Sequence, residues 1–132
     1  MYFTGTDIIE VERVKKAMED VSFILRVFTQ NEIEYCEKYQ GDSKYQHYAA
    51  RFAGKEAIFK AISVALKSKF DISWQDIEIG RSKDGKPLLY YKGSEEAGIV
   101  KIGNITLQVD VSLSHIKDYA IATAVADLNV EE

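Results

Sequence analysis

A helical apolar period in the first half of the chain and strand alternation in the second predict an α+β fold. Over residues 44–66, Tyr45, Tyr48, Phe52, Phe59, Ile62 and Leu66 recur at three-, four- and seven-residue spacing. That spacing lays one apolar stripe along a helix. Later, Leu107, Val109, Val111 and Leu113 alternate with Thr106, Gln108, Asp110, Ser112 and Ser114, the pattern of a half-buried strand. Helices mostly first and strands mostly later is the order of an α+β domain.

Taken in order, Tyr2 to Ile9 reads as a short strand bent at Gly5, and Val11 to Met18 as a helix behind it. Thr29 and Glu32 form a capping box, and Phe28 and Ile33 occupy the positions of a hydrophobic staple. The helix they start is expected to run to about Tyr39 and stop near Gly41. After the long helix, Asp76 to Ile79 and Leu88 to Tyr91 are strand-like. Asp84-Gly85 between them joins the two into a hairpin. A short helix is expected around Glu95 to Val100. Finally, Tyr119, Ile121, Thr123 and Val125 alternate with Ala120, Ala122, Ala124 and Ala126. An all-alanine face implies close packing, against a helix or another subunit.

The 132 residues fit one domain, 1–132, with no repeat and no low-complexity tract. A net charge of −4 speaks against a nucleic-acid partner, which would need a basic surface. No apolar run approaches the roughly 18 residues of a membrane span, so no membrane partner is expected. Nothing near Met1 has the layout of a signal peptide. Cys36 is alone, so no internal disulfide forms, and a cytoplasmic protein with a core cysteine is the simpler reading.

The most informative anomaly is Glu56, which falls roughly 40° from Phe52 on a helical wheel, inside the apolar stripe. A carboxylate there needs compensation. Lys60, one turn later, offers a plain helix-surface pair, and a bound divalent cation is the alternative. Asp7 is the second anomaly, a charge in a β-like run; it is either an N-cap for the next helix or a second cation ligand. His115 ends the run Val111-Ser112-Leu113-Ser114-His115, where two serines share the polar face and the histidine can reach into a cleft. His47 shows no partner and reads as surface. Zinc-hydrolase, nucleophile-elbow and dinucleotide-binding motifs are all absent. From the residues alone, the reading stops at a candidate metal and phosphate site.

Together these segments resemble the holo-acyl-carrier-protein synthase family of 4′-phosphopantetheinyl transferases, nearly end to end. The blocks are Gly5-Thr6-Asp7-Ile8-Ile9-Glu10-Val11-Glu12-Arg13, then Phe28 to Glu32, then Arg51-Phe52-Ala53-Gly54-Lys55-Glu56-Ala57-Ile58-Phe59-Lys60-Ala61. Trp74 to Ile79, Gly85-Lys86-Pro87 and Val111 to His115 follow in the same order. The resemblance implies a phosphopantetheinyl-transferase-like fold, with N-terminal helices packed on a mainly antiparallel sheet. It implies Mg²⁺ held by Asp7 and Glu56, with Asp7, Glu56 and Lys60 as the catalytic set. Lys55, Lys60 and Arg51 would meet phosphates of coenzyme A. Gly85, Lys86, Pro87, Ser112, Ser114 and His115 would meet its 3′-phosphorylated adenosine. The group that takes the acceptor serine's proton stays open among Glu56, a metal-bound water and another carboxylate.

Implied partners are coenzyme A and an apo acyl carrier protein, the latter met by Arg13 and Arg26. The implied assembly is a homotrimer with sites between subunits. Glu10, Glu12, Glu19 and Asp20 dilute the basic patch around Arg13, so the sequence does not name the carrier. The rival reading is a non-catalytic coenzyme A or nucleotide-binding module of the same fold. A third is an interaction protein whose Glu56–Lys60 pair is structural. Retention of Asp7, Glu56 and Lys60 favours the enzyme.

Overall fold

In the computed structural model of the protein, residues 1–67, 71–92 and 94–129 are described. The chain opens with β1 (Tyr2–Glu10), followed by α1 (Val11–Ala17), α2 (Val21–Val27), α3 (Gln30–Glu37) and the long α4 (Asp42–Leu66). A single 3₁₀ turn (Trp74–Asp76) leads into β2 (Ile77–Arg81) and β3 (Pro87–Tyr91). Then come β4 (Ile99–Ile102), β5 (Ile105–His115) and β6 (Tyr119–Asn129). β1, β6, β5 and β4 form one antiparallel sheet in that spatial order, and β2 and β3 form a separate hairpin. The α+β expectation therefore holds, with the first strand paired to the last.

Most elements follow their local signals. Thr29 and Glu32 make the reciprocal capping box at the start of α3, and the hairpin turns at Gly85, whose φ of 86° favours glycine. Three expectations need correction, and one helix, α2, goes unread in the sequence. β1 is continuous through Gly5, which is a contact point and not a bend; a Cβ there would collide with the Ala57 carbonyl oxygen. α2 carries no apolar stripe to detect, because Val21 and Leu25 are exposed and only Val27 is buried. In place of a helix near Glu95, residues 95–98 turn into β4. There Gly98, at φ 81°, donates to the Leu89 carbonyl and accepts from the Val109 amide. The third correction is the buried face of α4. It is lined by Ala49, Ala50, Ala53, Gly54, Ala57 and Ala61, while Tyr45, Phe52, Phe59 and Leu66 are only partly covered.

Small side chains on both surfaces explain that last result. The alanines at 120, 122, 124 and 126 are all buried against α4, so strand and helix backbones approach closely. A Cβ on Gly54 would lie 2.6 Å from Ile79 Cδ1 and 2.8 Å from Leu113 Cδ2. Among the described residues two apolar clusters result, one between α4 and the sheet, the other where α1, α2 and α3 cover the first half of α4. Cys36 lies in the second, its thiol pushed up to about 12 by burial.

A buried ion pair joins these layers. Lys55 Nζ is 2.6 Å from Glu32 Oε1, and both side chains are fully buried. The ammonium also donates to the Val27 and Trp74 carbonyls at 2.7 and 3.0 Å. Glu32 in turn accepts from the amides of Thr29 and Ile79. Burial pushes Glu32 above and Lys55 below its ordinary value, and each partner's charge pulls the other back. Every hydrogen-bonding group is used, which is what makes such a pair tolerable. Lys55→Met is therefore expected to cost about 3–5 kcal/mol by leaving a lone buried carboxylate. The double variant with Glu32→Gln should recover part of that loss. Urea denaturation at neutral pH measures both; a loss under about 1 kcal/mol for Lys55→Met would equate the pair with a surface bridge.

Candidate active site

Pleating decides which residues can meet. On β1 the odd-numbered residues face α4, so Asp7 points at the helix from the sheet's edge strand. α4 presents Glu56 and Lys60 one turn apart to that strand. Lys60 Nζ donates to Asp7 Oδ1 and to the Thr6 carbonyl, both at 3.0 Å. Glu56 is half-buried, and its carboxyl is raised above its ordinary 4.5 first by burial and then by the Asp7 charge, with Lys60 opposing. The two carboxylates are thus electrostatic neighbours, although 49 positions apart in sequence. Asp7 is not an N-cap: α1 starts after Glu10.

This donor set suits a hard cation. Two carboxylates supply oxygen ligands, and their mutual repulsion is what a divalent ion would relieve. Among the described residues no group of three or more His, Cys, Asp or Glu side chains is placed to hold a metal. Remaining ligand positions would fall to water and phosphate, the usual arrangement for Mg²⁺.

Lys55 does not join this set. Although adjacent to Glu56 in sequence, it points about 100° round the helix into the core and is fully engaged by Glu32. Its expected phosphate contact is withdrawn: no donor is left to offer. Arg51 is also buried, at 1% exposure, but in the opposite condition. Its guanidinium stacks 3.9 Å from the centroid of Tyr35, and its Nε and Nη1 have no hydrogen-bond partner. Buried, unsatisfied guanidinium nitrogens fit an anion.

His47 is not a surface residue. It is half-buried, stacked 3.6 Å from Tyr39, and its Nδ1 lies 2.7 Å from the Ser43 carbonyl. His115 comes within 5.2 Å of it, ring to ring, at the α4 side of β5. Ser112 and Ser114 take the opposite face of the same strand and are exposed. The Gly85-Lys86-Pro87 turn is held by Arg81 Nη1, which donates to the Gly85 carbonyl at 2.7 Å. Lys86 Nζ lies 3.5 Å from Asp110 on the sheet's outer face. Here an open groove of about 380 Å³ runs past Lys86, Pro87, Gln108 and Asp110. It does not reach Asp7 or Glu56.

The chain's likeness to known proteins covers all of these positions. A family model described as the 4′-phosphopantetheinyl transferase superfamily matches residues 4–124. A holo-[acyl-carrier-protein] synthase of Ruminiclostridium cellulolyticum is 44% identical over 126 residues, 94% of this chain and 90% of that one. The crystal structure of a holo-(acyl-carrier-protein) synthase from Bacillus anthracis, in complex with CoA (3′,5′-ADP), superposes with a TM-score of 0.70. It is 30% identical and covers 94% of both chains. An ACPS–CoA complex from Chronobacterium ammoniagenes has the same fold, with a TM-score of 0.79 at 24% identity over 98% of each chain. The chain belongs to the holo-[acyl-carrier-protein] synthase family of 4′-phosphopantetheinyl transferases.

In this transferase Arg13 and Arg26 stand exposed on α1 and α2, beside exposed Val21 and Leu25. Among the described residues, no helix is long and apolar enough to cross a membrane. Sequence reasoning did not single out Tyr35, Tyr39 or Arg81, and read His47 as surface. The four-residue spacing of the two tyrosines on α3 was a legible sign of a shared face, but nothing local joined them to β2 or α4.

The Glu56 shift has a testable sign. Without a cation, the folded protein favours the protonated carboxyl, so Glu56 contributes stability that is complete below about pH 4.5 and is lost as pH rises through its folded pKa. In chelator-containing buffer, the melting temperature of Glu56→Gln minus that of the parent should therefore become more positive between pH 4.5 and 7.5. A difference that stays flat or falls would mean that Glu56 sits comfortably ionised without a cation.

Proposed function

We propose that this enzyme transfers 4′-phosphopantetheine from coenzyme A to a serine hydroxyl of an apo acyl carrier protein, using Mg²⁺ and releasing 3′,5′-ADP. The observation that carries this reading is the meeting of Asp7, Glu56 and Lys60 beside one another at the junction of β1 and α4. Coenzyme A as the donor is supported by the Bacillus anthracis relative, whose structure is a complex with CoA (3′,5′-ADP). Asp7 and Glu56 would hold the Mg²⁺, which when bound neutralises diphosphate charge. Lys60, half-exposed and anchored on Asp7, adds a cation at the same place. Arg51, with its two free nitrogens, is assigned to a further phosphate, and His115 with the Gly85-Lys86-Pro87 turn and the two serines to the 3′-phosphorylated adenosine. In the transfer, a bond forms from the serine oxygen to the phosphorus bearing pantetheine, and the phosphoanhydride bond to 3′,5′-ADP breaks. Positioning and charge neutralisation are the main demands of such a step.

The assembly is proposed to be a homotrimer with sites between subunits, in the cytoplasm. Ser112, Lys86 and the outer groove lie on one face of the sheet and Asp7 and Glu56 on the other, so one chain does not offer all of them to one ligand. The outer face is apolar where it is most open: Ile8 and Ile121 are cross-strand neighbours, 62% and 41% exposed, with Tyr119 nearby. Arg13 and Arg26 are proposed to receive the acidic carrier.

Two measurements test this. Incubated with coenzyme A, Mg²⁺ and apo carriers of fatty-acid, polyketide and peptide synthesis, the enzyme should add the phosphopantetheine mass to at least one, and chelator should abolish it. Glu56→Gln should lower the rate at least about a hundredfold; near-parental turnover would remove Glu56 from the site. Binding of coenzyme A without transfer to any carrier would favour the non-catalytic module. Second, mixing Glu56→Gln chains with Lys86→Ala/His115→Ala chains should restore transfer that neither has alone. No recovery in demonstrably mixed oligomers would put the whole site within one chain.

A further inference from the structure

We infer that Arg81 is a positioning residue for the 3′-phosphate end of the substrate, tying the Gly85 turn to Arg51 across the ring of Tyr35. This rests on the reading of the site given above. Arg81 ends β2, and its side chain makes two contacts that join separate parts of the fold. One is the 2.7 Å hydrogen bond from Nη1 to the Gly85 carbonyl, inside the turn that carries Lys86. The other is with Tyr35, whose ring centroid is 5.3 Å from Arg81 Cζ and 3.9 Å from Arg51 Cζ. One tyrosine on α3 thus holds a guanidinium from α4 and another from β2. His47 adjoins the same ring, 5.9 Å away, with His115 beyond it.

This cluster is unbalanced. Among the described residues neither arginine has a carboxylate within 4.0 Å, whereas Lys55, Lys60 and Lys86 each have one. Two guanidinium cations on one aromatic ring repel each other. A phosphate monoester, with close to two negative charges, would relieve that repulsion and satisfy Arg51 Nε and Nη1. Arg81 contributes by holding geometry: it fixes the direction of the Gly85 carbonyl, and hence of Lys86, relative to Arg51. A lysine at this position could reach the carbonyl but would not keep a guanidinium beside Tyr35 while doing so.

Titration calorimetry with 3′,5′-ADP and with 5′-AMP isolates the 3′-phosphate and does not require transfer. For Arg81→Ala we expect 3′,5′-ADP to bind about tenfold more weakly, with 5′-AMP changed less than about twofold. Arg81→Lys should fall between Ala and the parent. In steady-state transfer, KM for coenzyme A should rise about tenfold with kcat within about twofold, and 3′-dephospho-coenzyme A should be almost unaffected. Arg81 is exposed, and a urea midpoint close to the parent's would separate this effect from unfolding. Equal loss for both nucleotides, unchanged 3′,5′-ADP affinity, or a parent protein that binds the two alike would each overturn the inference. If the parent prefers 3′,5′-ADP and Arg81→Ala loses that preference, yet no carrier is modified, the positioning role stands and the transfer reading fails.

Discussion

Close approach between α4 and the sheet governs everything at the site. Gly5 on β1 leaves room for the Ala57 carbonyl and the Ala61 amide, and the buried alanines of β6 lie alongside. Replace that small-residue seam with leucines and helix and sheet would stand further apart, since side-chain size sets interlayer distance. Asp7 would then be out of reach of Lys60. A three-residue polar site at a helix–strand junction exists because the neighbouring positions are almost without side chains.

The same helix shows how about 140° around its axis separates structure from chemistry. Lys55 and Lys60 lie five positions apart in one conspicuous motif. Lys55 is closed in with Glu32 and two carbonyls, which fastens α3, α4 and the β2–β3 hairpin into one body. Lys60 is half-exposed and bonded to the edge strand. One is spent on the fold and the other is available to a ligand. Arg51 completes the contrast, buried like Lys55 but unpaired like a binding group. Where a buried cation is matched, it fastens layers; an unmatched one has the chemistry to suit an anion.

Much of the architecture was legible because its causes are local. The α3 capping box, the Asp84-Gly85 hairpin and the alternation of β5 and β6 each depend on residues within a few positions of one another. α2 was not legible, since its Val21 and Leu25 face solvent and write no period. The turn at Gly98 was not either, since its hydrogen bonds go to β3 and β5 and not to its neighbours. The odd position of Glu56 corresponds to a half-buried carboxyl beside Asp7 and Lys60, raised by burial and by the Asp7 charge. The stripe it interrupted was not the most deeply buried face of α4, because a helix covered on several sides by small residues has no single apolar edge.

From the sequence alone come the α+β class, the element types, the suspicion attached to Asp7 and Glu56, and the family to which the ordered motifs belong. These follow from short-range periodicity and residue chemistry. Only the tertiary structure decided that Asp7 faces Glu56 and Lys60, that Lys55 is a core residue, that Ser112 and Ser114 look away from the carboxylates, and that Tyr35 gathers two arginines. Each of those facts depends on which faces of remote elements are pressed together, and that is set by the packing of the whole chain and not by any stretch of it.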